Sequence, residues 1–184
     1  MDLAVPFLEK SRFLLQQEYR TKIRAAVEAL PEEGLWWRPN EQTNSVGNLL
    51  GHLAGNIRQW IISGIGGAPN VRDRDGEFAA RGGATAAELL DRLDQALDEV
   101  DAVLARLTAD DLMKPVAVQG RNVTALVAVF MVVEHFSMHT GQIILIAKLL
   151  APGAIRFYED ANGLARPIWP ELQRTQTSSK TRHA

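Results

Sequence analysis

Four long segments of the chain repeat apolar residues at intervals of three and four, and three of them end in proline or glycine. That pattern admits packed amphipathic helices and little else. The first runs from about Leu3 to Leu30, with Leu8, Leu15, Ile23, Ala26 and Leu30 near one face, and stops before Pro31. The second runs from Ser45, a suitable N-cap, to Ile62 and ends at Gly64-Ile65-Gly66-Gly67-Ala68-Pro69. Thr85-Ala86-Ala87-Glu88 is a capping box opening the third, whose stripe is Leu89, Leu93, Leu97, Val100, Leu104 and Leu107. Asn122 or Thr124 caps the fourth, which runs to Leu150 and breaks at Pro152-Gly153. No strand pattern stands out. The expected fold is all-α, a four-helix bundle with a structureless connection from Gly64 to Ala84 and an irregular segment beyond Pro152.

At 184 residues the chain has the length of one domain, expected over residues 1–172, with residues 173–184 as a disordered tail. Its 20 basic and 22 acidic side chains leave a net charge of −2, which gives no field for gathering nucleic acid. Cysteine is absent, so disulfides, thiolate metal sites and a cysteine nucleophile are excluded together. The N-terminus lacks the basic region of a signal peptide. The most apolar stretch, Val123 to Leu150, is interrupted by Glu134, His135, His139, Gln142 and Lys148, which argues against a membrane span. A soluble, cytoplasmic protein is the expectation.

Three of the four histidines fall within the helical segments. At about 100° per residue, His135 and His139 lie about 40° apart on the fourth helix, with Gln142 about 20° to the other side. Two imidazoles at i and i+4 can donate nitrogens to one ion. His52 lies on the second helix, with Asn48, Asn56 and Gln59 within about 40° of it. If the second and fourth helices face each other, His52 completes a set of three neutral nitrogens. Three imidazoles with an open position are the layout of a reactive metal site, for zinc, nickel, iron or manganese. The alternative is a set of hydrogen-bonded core histidines. Glu-x-x-His pairs, HExxH, Walker A and G-x-S-x-G patterns are all missing, so di-iron, zinc-protease, phosphate-cradling and serine-nucleophile chemistry are not indicated.

Three stretches, in this order, carry a family resemblance: Leu35-Trp36-Trp37-Arg38-Pro39, Asn48-Leu49-Leu50-Gly51-His52-Leu53-Ala54, and His135-Phe136-Ser137-Met138-His139-Thr140-Gly141-Gln142. Over roughly Leu8 to Leu150 the chain resembles the DinB-like superfamily, also described as YfiT-like metal-dependent proteins, and most closely a subgroup without an assigned activity. The resemblance implies an up-down-down-up bundle, a homodimer, and one divalent ion held by His52, His135 and His139. Relatives with known activities transfer or isomerise with mycothiol, bacillithiol or glutathione, so a low-molecular-weight thiol and a small electrophilic substrate are implied. Gln142, Asn48 and Asn56 then either support the metal-bound water and ligands or satisfy one another. Arg72, Arg74 and Arg81 either bind a thiol cofactor's carboxylate from a lid or form a solvated, salt-bridged loop. Two functions follow as alternatives: a metal-dependent transferase or isomerase, or a non-catalytic, dimeric stress-response module whose metal is structural or whose site is vestigial.

Overall fold

The computed structural model describes residues 3–172. The first helical segment is α1 (Ala4–Phe13), a π-helical stretch (Leu14–Tyr19) and α2 (Arg20–Glu28) in continuous succession. A 3-10 turn (Glu32–Leu35) leads to α3 (Val46–Ile57), which a second π-helical stretch (Arg58–Ser63) extends. Ser45 caps α3: its hydroxyl accepts from the backbone N–H of Asn48, whose side chain accepts from the Ser45 N–H at 3.1 Å. The connection that follows holds a short helix, α4 (Arg74–Ala79). Thr85 and Glu88 form the expected capping box on α5 (Ala86–Leu104). A one-turn α6 (Ala109–Leu112) comes next, then β1 (Pro115–Val118), β2 (Arg121–Thr124) and α7 (Ala125–Leu150), which Thr124 caps. β3 (Tyr158–Ala161) and β4 (Leu164–Pro167) follow, and the last described residues, 169–172, are helical.

The mostly helical prediction holds. α3 packs on both α5 and α7, and α2 packs on α7. Between them lies one apolar core containing Leu49, Leu53, Ile57, Leu93, Leu97, Phe136 and Ile143. Ion pairs close the seam between the first helical segment and α5. Asp94, 7% exposed, accepts from Arg20 at 2.8 Å and from Arg24, and Arg12 grips Asp101 with two bonds of 2.7 and 2.9 Å. α7 is long and apolar enough, by length and composition, to cross a membrane. Its inward side, from Ala125 through Phe136 to Ala147, is committed to the core.

Three expectations are corrected. The connection from Gly64 to Ala84 is not structureless: Asp73 caps α4 by accepting from the Gly76 N–H at 3.0 Å. Two antiparallel hairpins were missed. β1 and β2 join through Gln119 and Gly120, with φ of 51° and 71°, which is the turn handedness that matches strand twist. Four-residue strands and a Gln-Gly turn leave almost no periodicity to read. β3 and β4 replace the expected irregular segment and join through Asn162 and Gly163, with φ of 58° and 81°. Asn-Gly is a strong hairpin signal, so the sequence itself carries notice of this turn. Lys22 ties this hairpin to α2 by donating to the Tyr158 hydroxyl at 2.9 Å. The tail expected at residues 173–184 lies outside the described residues.

Candidate metal centre

α3 and α7 carry the three histidines to one point. His52 and His139 are buried and His135 is half-buried. Their rings lie edge to face, with centroids 4.9 Å apart for His52–His135, 5.1 Å for His52–His139 and 4.3 Å for His135–His139. One nitrogen from each ring falls within 4.8 Å of the others. Nε2 of His52 and Nε2 of His135 are 2.9 Å apart.

The far sides of two rings are anchored. Nδ1 of His139 meets Oε1 of Gln142 at 2.7 Å, so it carries the proton and leaves Nε2 as the free donor. Nδ1 of His52 lies 3.0 Å from both Oε2 of Glu77 and Nη2 of Arg72; because Arg72 already donates to that carboxylate at 2.6 Å, the stronger acceptor Glu77 favours a proton on Nδ1. The His52 Nε2 lone pair then faces inward. Two ligand nitrogens about 2.1 Å from one ion stand about 3.0 to 3.4 Å apart, close to the 2.9 Å between Nε2 of His52 and Nε2 of His135, and a His139 nitrogen lies within 4.8 Å of both rings' donors, so these residue types fit a divalent ion. Burial, followed by the charges of His139, His52 and Arg72, pushes the His135 ionisation down to about 4. Burial also lowers that of His139, against the opposing Gln142 bond. Both imidazoles are therefore neutral, as ligands must be.

Glu77 was not among the residues picked out from sequence. α4 delivers it, and Arg72 clamps it with bonds of 2.7 Å from Nε and 2.6 Å from Nη2. Burial works to raise the Glu77 ionisation, but the Arg72 and His52 bonds outweigh it and hold the carboxyl below its usual range. Space for the carboxylate exists because residue 55 is glycine. A glycine in mid-helix costs about 1 kcal/mol relative to alanine, so Gly55, one turn after His52, was the available signal of a close approach. Phe78, next to Glu77, covers the His52 ring at 4.6 Å.

Asn48 does not touch the imidazoles. Its Nδ2 donates to the carbonyls of Glu77 and Ala80 at 2.8 and 3.0 Å, and Arg38 donates to its Oδ1 at 2.5 Å and to the Ala80 carbonyl at 3.0 Å. Trp36 packs on Gly47 and donates to the Ala84 carbonyl at 3.0 Å. The Trp36–Arg38 stretch and Asn48 thus hold the α4 connection against α3. Arg72 reaches the centre, with its side chain 2% exposed in place of a solvated position. Arg74 stacks on Phe78 at 4.9 Å, while Arg81 turns to the carbonyls of Phe78, Ala79 and Ala80. Asn56 is 7% exposed, and its Oδ1 is buried without a hydrogen-bond partner.

A cavity of about 170 Å³ opens beside His52 and His135. Asn56, Arg72, Arg74 and Arg121 share its lining, and Arg81 does not. Arg121 and Gln119 come from the hairpin before α7 and were not foreseen from sequence. The chain can thus present three imidazole nitrogens to an ion with a polar chamber at their side.

The family described as "Protein of unknown function (DUF1572)" matches residues 2–158. Compared with curated proteins, the chain matches none. Among solved structures, a conserved protein from Enterococcus faecalis is similar at a TM-score of 0.68 and 15% identity, covering 82% of this chain and 98% of that one. A DinB-like protein, YjoA, from Bacillus subtilis is similar at a TM-score of 0.61 and 16% identity, with the same coverage of 82% and 98%. At these identities the likeness is one of fold.

Proposed function

The chain belongs to the DUF1572 family of proteins of unknown function, within the DinB-like superfamily, and on that premise we propose that it binds one divalent ion through His52, His135 and His139 and transfers a low-molecular-weight thiol to a small electrophile. The observation that carries the reading is the 2.9 Å approach of the two Nε2 atoms of His52 and His135. With the far sides of His52 and His139 held by Glu77 and Gln142, their Nε2 lone pairs point inward, where an ion would take the place of the N–H···N bond that a neutral His135 otherwise gives His52.

A bound ion would supply Lewis acidity, holding a thiol as its thiolate near neutral pH. The chain's own residues do the rest. Glu77 and Gln142 keep protons on the Nδ1 atoms of His52 and His139, and burial keeps His135 neutral. Trp60, Met131 and Val132 give the chamber an apolar wall that limits water. Because the chain has no cysteine, the thiol must come from outside. One observation favours a second reading, a metal with a structural role. Glu77 is fully engaged by Arg72 and His52, which leaves it unable to take a proton from a substrate.

The same reading includes an up-down-down-up four-helix bundle and a homodimer. Supporting the dimer, Val127, Phe130, Met138, Leu145 and Leu149 form one outward stripe on α7, and Phe130, Leu145 and Leu149 are 58%, 59% and 60% exposed. Gly141, on the same face, has open space above it, where a second copy of α7 can approach closely.

The test is elemental analysis of tag-free protein purified without a nickel column, with His52→Ala and His139→Ala beside the wild type. About one ion per chain, lost in both variants, is the result expected for a three-nitrogen site. Failure to bind zinc, nickel, iron(II) or manganese overturns the metal reading. Conjugation of glutathione, bacillithiol or mycothiol to a chromogenic aryl halide by the loaded protein then separates transferase from structural site. Ion loss with a large fall in melting temperature and no conjugation supports the structural role.

A further inference from the structure

The cavity beside the histidines is about 170 Å³, below the roughly 300 to 1,000 Å³ of pockets that enclose drug-sized ligands. Its walls differ in what holds them. His52, Asn56 and Trp60 come from α3 and its π-helical extension, and Met131, Val132 and His135 from α7, all on helices packed into the core. Arg72 is bound to Glu77 and to Gln59. The tip of the β1–β2 hairpin contributes Gln119 and Arg121, and this side is lightly held. The hairpin is a sheet of two four-residue strands, rooted by buried Val116 and Val118, and its exposed residues 119–121 lie beyond that root. Isolated two-stranded hairpins are marginally stable. Among the described residues, the one side-chain hydrogen bond from this tip to the helices runs from Nε2 of Gln119 to Oε1 of Gln59, at 2.6 Å.

Gln119 is an unusual residue for its place. With φ of 51° before Gly120 at 71°, it holds the first central position of a left-handed turn that favours asparagine, aspartate or glycine. Its longer side chain is what spans the chamber's edge to Gln59. We propose that the hairpin tip is the gate of the metal chamber, with Gln119 as its latch on Gln59. Resting on the reading above, the gate admits a thiol and an electrophile that together exceed the closed chamber. Oε1 of Gln59 also accepts from Nη1 of Arg72 at 2.9 Å, and Arg72 holds the Glu77 carboxylate beside His52. Release of Gln119 therefore leaves the Arg72 bond to Gln59 in place and the His52 ring aligned. Opening breaks one hydrogen bond and moves no metal ligand.

The test uses the full chain in its metal-free form. Because the chain has no cysteine, V132C places a single thiol on the chamber wall, at a position 1% exposed. Its rate of reaction with dithiobis(nitrobenzoate), too bulky for the closed chamber, reads the open fraction. V100C, buried in the core outside the chamber lining, reads general loosening of the fold. Expected is slow labelling of V132C, about three- to tenfold faster once Q119A is added, as loss of one neutral hydrogen bond predicts. The V100C rate stays unchanged. Q119N separates the latch from the turn: asparagine suits the turn better but is one methylene too short for Gln59. A latch therefore gives faster labelling with Q119N, and a merely firmer hairpin gives slower labelling. Equal V132C rates with and without Q119A, slower labelling with Q119N, or V100C accelerated in parallel overturns the gate. Zinc content is measured separately. Faster labelling with Q119A in a chain that takes no zinc keeps the gate and removes the metal reading. Full zinc loading with equal labelling rates removes the gate and keeps the metal.

Discussion

A Cβ built on Gly55 would stand 1.9 Å from Oε1 of Glu77. The carboxylate that orients His52 thus occupies the volume a side chain on the next turn of α3 would need. Gly55→Ala is expected to expel Glu77 and free the His52 ring. Loss of such a supporting carboxylate typically lowers metal affinity about 10- to 100-fold. Circular dichroism should show helix content unchanged, since alanine favours helix, while competition with a chelating dye reads the affinity.

Gln142 plays the matching part on α7, accepting from Nδ1 of His139 at 2.7 Å. Gln142→Leu removes the acceptor and lets the ring change tautomer. Zinc affinity is expected to fall about tenfold, with the melting temperature of the metal-free protein little changed. Gln142→Glu should retain the affinity, because a carboxylate accepts the same bond.

The metal-free protein should lose stability on mild acidification. His135 ionises near 4 in the fold against an ordinary value of 6.5, so the unfolded chain takes up its proton first as pH falls. Stability is unaffected by His135 above 6.5, declines as pH drops from 6.5 to 4, and loses nothing further to this group below that window. His139 acts in the same direction. The lowered Glu77 ionisation adds a loss beginning as pH falls below its usual 4.5. Thermal melts from pH 7.5 to 4 check this, and His135→Gln should flatten the upper part of the profile.

Asp94 lies buried between Arg20 and Arg24 on the seam of α2 with α5. Asp94→Ala removes the carboxylate shared by the two guanidinium groups and leaves Arg20 only the exposed Asp98 and Arg24 only the exposed Glu28. A loss of about 2 to 3 kcal/mol is expected in urea unfolding, somewhat below the figure for a fully dry pair because both arginines are partly wet. Metal content should be unaffected.

Leu145 stands at the middle of the outward stripe on α7. Leu145→Glu is expected to convert the proposed dimer to a monomer in sedimentation velocity, with the metal centre intact, since the neighbouring Ile146 and Ile143 still face the core. A wild type that sediments as a monomer would remove the dimer from the reading.

Much of this could be read along one dimension. Periodicity located the four helical segments, and Thr85-x-x-Glu88 and Ser45 marked two helix starts to the residue, because caps act within a single turn. The i, i+4 spacing of His135 and His139 set those rings side by side for the same local reason. The hairpins left weaker traces: β3–β4 has its Asn-Gly turn, whereas Gln119-Gly120 gives little notice of β1–β2.

What no spacing rule could supply was contact between residues far apart in the chain. Glu77 meets His52 across 25 positions, and Arg121 arrives at the same cavity from a hairpin. Arg72, Arg74 and Arg81 look alike as letters, yet one is buried on a carboxylate, one stacks on Phe78 and one binds backbone carbonyls. The difference arises where α4 docks, which Gly55, Asn48, Arg38 and Trp36 decide jointly. Helix periodicity and capping are local and speak through sequence; the partner of a buried charge is chosen by packing, and only the folded chain makes that choice.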